Sequence, residues 1–334
     1  MEFSWKPDLW LVTIPLAFTM TGVLSMALGT GSLDLAWAQE PSTGRQESES
    51  ALPAEQDQDM PAEGKPEPGT QPEKPRILPP RLRPKVLTTE EHAEAERLKQ
   101  LGAMFGTDPT AIVGRVQLSS QYVALSNDAR LSDSTLRVDL PYRNNWLLRV
   151  DLPFLRWIDP NRMGTTSAEG MSDLAAVAAW RAYNTPEYAV LIGVISTFPT
   201  GSDNTLSTGK YNVGPILATA RFLPRWQSFL FGVFQHLTSV GGDPARKDIE
   251  QTQATLQVNT IWNQRTWTTV QGVLRIDWER HARSGMTLEF EAGRNVIGRW
   301  GVYGRPGVGL WGRDVGGGYL WNFEVGIRYI FPSF

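Results

Sequence analysis

Trp321-Asn322-Phe323-Glu324-Val325-Gly326-Ile327-Arg328-Tyr329-Ile330-Phe331 decides how the rest of the chain is read. Every second residue, from Trp321 through Phe323, Val325, Ile327 and Tyr329 to Phe331, is aromatic or β-branched. Between them stand Asn322, Glu324, Gly326 and Arg328. A period of two over this length specifies a strand with one apolar and one polar face. The aromatics cluster at the two ends of the apolar stripe with aliphatics between. That distribution suits a wall that meets hydrocarbon in its middle and the membrane interfaces at its edges.

Working upstream, the same alternation repeats back to Ile112. It predicts twelve strands, near 111–124, 133–142, 146–154, 171–183, 188–198, 211–222, 227–239, 251–262, 266–280, 285–296, 299–312 and 319–331. Most have the length of a tilted strand crossing a bilayer. The connections alternate independently. Short ones fall at Arg143-Asn144-Asn145, 184–187, 223–226, 263–265 and near Ile297-Gly298, with longer ones between. Short turns on one side and long loops on the other is the outer-membrane arrangement, and an even count puts both ends of the barrel in the periplasm. The fold expected is all-β: a closed transmembrane antiparallel barrel over 110–334, because open sheet edges cannot face hydrocarbon.

Charge fixes which face is which. The expected lumen-lining residues are Arg115, Arg137, Asp139, Arg149, Asp151, Arg275, Asp277, Glu289, Glu291, Arg305, Glu324 and Arg328, with Glu279 continuing the row after Asp277. The outward set begins at Ile112, Val116, Leu118 and Tyr122. One internal repeat tests the register. Leu136-Arg137-Val138-Asp139-Leu140-Pro141-Tyr142 returns as Leu148-Arg149-Val150-Asp151-Leu152-Pro153-Phe154. A hairpin centred on Asn144 sets Arg137 opposite Asp151 and Asp139 opposite Arg149, both pairs pointing inward. The central strands are less polar inside: 188–198 offers Ala189, Leu191, Gly193 and Ile195, and 227–239 offers Leu230 and Phe234. The lumen is therefore expected to have an apolar and a charged side.

The N-terminal third reads differently. An apolar run from Leu9 to Leu28 precedes Ala36-Trp37-Ala38, a small-x-small cleavage pattern, so 1–38 reads as a signal peptide, with an uncleaved anchor as the alternative. Residues 39–85, rich in Pro and Glu, read as a disordered periplasmic linker. A short amphipathic helix follows over 86–106, opened by a capping box from Thr88 to Glu91. Leu98, Leu101 and Phe105 share its apolar face. Packing beneath the barrel is the expectation, and a lumen plug the alternative.

The 334 residues carry a net charge of −3, no cysteine and three histidines, His92, His236 and His281. That leaves no disulfide or thiolate chemistry and gives no reason to expect nucleic acid. No histidine pair has metal-ligand spacing, and a barrel lipase built on His236 or His281 lacks a visible partner. Glu289 and Glu291 sit among arginines and read as a charge network rather than an acid–base pair. No catalytic residue, metal or cofactor is expected.

Two resemblances refine this reading. The last strand resembles the C-terminal signature of Gram-negative outer-membrane barrels, although Pro332-Ser333-Phe334 overhang the phase that fits. It implies outer-membrane lipid and the barrel-assembly machinery as partners. Gly170-Met171-Ser172-Asp173, Phe198-Pro199-Thr200-Gly201, Thr208-Gly209-Lys210 and Gly214-Pro215 follow in an order similar to the outer-membrane barrel family associated with the meta-pathway of phenol degradation. That resemblance covers about 110–331. It implies a channel or transporter for small solutes, hydrophobic or aromatic ones among them. The alternative is a structural envelope protein with a closed lumen, tethered through its linker.

Overall fold

The structure, a computed structural model, describes residues 88–161 and 166–332. The signal peptide and linker expected over 1–85 lie outside the described residues, as do the first two residues of the helix expected over 86–106. A helix, α1 (Thr89–Phe105), precedes the strands β1 (Gly114–Ala124), β2 (Arg130–Tyr142), β3 (Trp146–Asp159), β4 (Ala168–Gly170), β5 (Leu174–Asn184), β6 (Tyr188–Phe198) and β7 (Lys210–Leu223). Then come β8 (Ser228–Gly242), β9 (Glu250–Ile261), β10 (Thr266–Asp277), β11 (Arg283–Ile297), β12 (Trp300–Trp311) and β13 (Trp321–Phe331). Twelve of these form one closed antiparallel barrel, sealed where β1 pairs with β13. The three-residue β4 pairs only with β3, as a flap in a long loop that alternation did not reveal.

The alternating stripe of β13 behaves as its pattern requires. Trp321, Phe323, Val325 and Ile327 are exposed on the outside of the barrel, whereas Asn322 and Arg328 are buried. Aromatic pairs stand at both rims of the seam: Tyr122 with Trp321 at 5.4 Å, and Trp300 with Tyr329 at 4.9 Å. Such girdles belong at the two interfaces of a bilayer. The β2–β3 hairpin has the register that the internal repeat implies, Arg137 opposite Asp151 and Asp139 opposite Arg149.

Three placements depart from the sequence reading. Ile112 precedes β1 and points inward, buried among Leu147, Val177, Ala179, Leu191 and Ala218. In β8 the inward residues are Phe229 and Phe231, both fully buried, while Phe234 is exposed outside; the phase is the reverse of that expected for Leu230 and Phe234. Glu279 is an exposed loop residue, because β10 ends at Asp277.

The loop motifs also have a structural role. Asp173 accepts from the Gly201 and Thr208 backbone N–H groups and from the Thr208 hydroxyl, at 3.1, 2.7 and 2.6 Å. Ser172 donates to the Leu206 carbonyl at 2.8 Å. One carboxylate thus gathers three separated motifs at the long-loop end.

Candidate functional site

Helix α1 begins as its sequence dictates. The Thr88 hydroxyl accepts from the Glu91 backbone N–H at 3.2 Å, and Glu91 accepts from the Thr88 N–H at 3.1 Å. Its polar face ties it to the short turns. Glu94 accepts from Arg97 and Gln227, Arg225 pairs with Glu91 at 2.7 Å, and Lys99 donates to the Thr185 carbonyl at 2.7 Å. The Arg97 guanidinium holds the Glu94 carboxyl below its usual range, and burial lowers the Lys99 ammonium.

Its apolar face does not lie beneath the barrel; it enters the mouth. Ala95, Leu98 and Phe105 form one buried cluster with the inward-facing Phe222, Phe229, Phe231, Ile261, Trp267 and Tyr303. The Phe105 ring stacks on Trp267 at 5.1 Å. The chain then continues along the lumen wall, burying Thr107, Asp108, Thr110 and Ile112. Helix and following segment together cover the apolar side of the lumen. This explains why β8 is apolar on both faces: one meets lipid and the other meets α1.

The helix ends in a cluster of arginines. Gly106 adopts φ +65°, a left-handed conformation that favours glycine, and closes the helix against the end of the Ile330 side chain. Its carbonyl accepts from Arg115 at 2.9 Å and from Arg328 at 3.2 Å. Cations at a helix C-terminus oppose its negative dipole end. The Arg328 guanidinium is sandwiched between Trp267 and Tyr303, 4.7 and 4.6 Å from their ring centres. Phe105, Trp267, Arg328 and Tyr303 therefore form a stack across the lumen.

Around the stack the charges are paired. Asp139 accepts from Arg115 and Arg149, at 2.9 and 2.7 Å, and Asp151 from Arg137. Glu291 pairs with Arg305 and with Arg328, the latter at 2.6 Å, and accepts from the Trp267 indole at 2.7 Å. Glu324 pairs with Arg305 at 3.3 Å and accepts from the Tyr303 hydroxyl. Partners at this range offset the large penalty of burying lone charges.

Two cavities flank the stack and share no lining residue. The larger, about 670 Å³, runs from the long loops down to Gly106, Thr107 and Pro109. Of the expected lumen residues, Arg115, Arg137, Arg149, Arg275, Glu289, Glu291, Arg305, Glu324 and Arg328 line it. Asp139 and Asp151 stand behind it in their ion pairs. Asp277 lies off the cavity at the loop end of β10, 3.4 Å from Arg280. The smaller cavity, about 390 Å³, is bounded by Leu101, Met104 and the short turns near Gln264 and Gly298.

The stack residues Phe105, Trp267 and Tyr303 were absent from the expected site. Trp267 carried a signal, since it shares the inward phase of β10 with Thr269, Gln271 and Arg275. An aromatic on an otherwise polar lumen face marks a packing partner inside the barrel.

No family model matches the chain, and no curated protein matches it. Among solved structures, it is similar to an outer membrane channel from Pseudomonas putida F1, with 15% identity over 66% of this chain and 95% of that one, and a TM-score of 0.53. The NanC and KdgM porins, each 10% identical, give TM-scores of 0.46 and 0.44, covering 66% and 64% of this chain and 100% and 98% of theirs. The chain has the fold of an outer-membrane β-barrel, closed by twelve antiparallel strands and stoppered at its short-turn end by its own helix.

Proposed function

We propose that the protein is an outer-membrane channel for small polar solutes, held shut at its periplasmic mouth by α1. One observation carries this reading: the lumen left free by the chain is polar, lined by arginines and by Gln121, Gln253, Gln257 and Gln271, and open towards the loops. The apolar wall is already covered by α1 and the segment through Ile112.

A hydrophobic or aromatic solute is the second reading, in keeping with the family resemblance. Undocking of α1 would bare Phe229, Phe231 and Trp267 at the mouth. The rival of another class is a structural barrel that never opens, tethered through its linker.

Planar-bilayer recording separates these readings. The full chain should show rare openings, and a chain carrying Leu98→Asp on α1 should show long-lived conductance steps. Silence from both proteins, each migrating as folded barrel, would leave the structural reading. Conductance that falls on adding an aromatic hydrocarbon, but not a polar solute, would favour the second.

A further inference from the structure

Seven arginines line the larger cavity, and six of them hold an aspartate or glutamate within ion-pair distance. Arg275 is the exception among the described residues. Its one hydrogen bond there runs from Nη1 to the Thr287 hydroxyl, at 3.3 Å. Glu289, two residues beyond Thr287 on β11, acts on the Arg275 charge through space but forms no ion pair with it, because neutral donors hold both of its oxygens. Gln271 Nε2 reaches one oxygen at 2.7 Å, and the Tyr319 hydroxyl reaches the other at 2.6 Å.

A guanidinium with unused donors on a cavity wall fits a carboxylate, because its planar fork matches the two oxygens. A second donor stands beside it. Gln253 is the register partner of Arg275 across β9–β10 and lines the same cavity. Thr255 and Val273 pair in the next inward row and Gln257 and Gln271 in the row after, so the wall beside Arg275 carries no charge. Gly317, in the loop between β12 and β13, lies over Arg275; a Cβ there would approach Nε to 2.9 Å. This places Arg275 above the arginine-ringed floor, where a solute entering from the loops meets it before the stopper.

We propose that Arg275 and Gln253 form a binding subsite for small organic carboxylates in the free lumen. As a step in transport the subsite rests on the channel reading, but its binding can be measured without conduction. The probe is sodium malonate, titrated calorimetrically into the detergent-solubilised full chain against sodium chloride of equal ionic strength. Wild type should bind malonate, and Arg275→Gln should bind it about tenfold more weakly or worse, as loss of a charged hydrogen-bonding partner implies. Arg275→Lys should fall between, keeping the charge but losing the fork. Heat-modifiable gel migration reports whether each variant folds; if Arg275→Gln does not, Arg275→Lys and Gln253→Leu carry the comparison. Folded wild type that ignores malonate, or folded variants that bind it as wild type does, overturn the subsite. Binding that depends on Arg275 in a protein with no conductance supports the subsite and refutes the channel. Conductance without malonate binding does the reverse.

Discussion

Phe105→Ala tests whether α1 is a stopper or part of the wall. The ring is fully buried and stacks on Trp267 at 5.1 Å with 25° between planes. Burying a phenylalanine contributes about 1.5–3 kcal/mol, and an aromatic pair about 0.5–1.5 kcal/mol more. With a residual cavity, truncation at such a site costs about 3–5 kcal/mol. The loss should fall on docking of the helix, because every barrel strand keeps a hydrogen-bonded neighbour on both sides without it. At the low end, 3 kcal/mol moves the docked-to-undocked ratio by about two orders of magnitude. The chain has no cysteine, so Ala95→Cys, at a fully buried helix position, gives a single reporter. Maleimide labelling of that thiol in outer-membrane vesicles should accelerate about a hundredfold when Phe105→Ala is added. Unchanged labelling, together with a lower unfolding temperature for the barrel, would refute the reasoning and make Phe105 a structural member of the wall.

Three further outcomes are expected. Arg137→Ala leaves Asp151 without its partner and should destabilise the barrel by about 3 kcal/mol, the low end for a broken buried pair, since both groups keep some contact with water. Exchanging the two residues should restore most of that in urea unfolding, and an exchange no better than the single change would disprove the paired register. On the lipid face, Leu118→Arg should cost about 2–4 kcal/mol, whereas Ser119→Arg, one residue along and pointing inward, should cost far less; equal costs would reverse the assigned faces. Burial pushes the Asp108 carboxyl up, partly offset by its hydrogen bonds from Thr110 and by the charges of Lys99 and Arg181. The docked state therefore favours the neutral acid, so this contribution is complete below the ordinary carboxylate range and is lost as pH rises through the raised value. Asp108→Asn should flatten the pH dependence of Ala95→Cys labelling, and an unaltered slope would assign that dependence elsewhere.

The barrel was legible wherever its two faces meet different solvents. Alternation located β1, β2, β13 and the charged row from Arg115 to Arg328, and the Arg-x-Asp repeat set the β2–β3 register. It failed where both faces are apolar. Phe229, Leu230, Phe231, Val233 and Phe234 in β8 contain no polar residue to set the phase, since the inner face is covered by α1. Ile112 looked lipid-facing for the same reason: an apolar residue does not announce whether hydrocarbon or a packed helix covers it. In the stack of Phe105, Trp267, Arg328 and Tyr303, the three strand residues adjoin through successive hairpins, but Phe105 comes from the helix far upstream, and only docking of α1 brings it to them. The flap β4 is too short for any periodicity to register.

The position of α1 in the chain has a consequence for assembly. It is encoded before every strand, yet the walls of its berth come from β6 through β10 and from β12. That berth exists only once those strands have paired, so the helix has nowhere to dock until most of the wall is built, and its packing is a late contribution to the stability of the finished barrel.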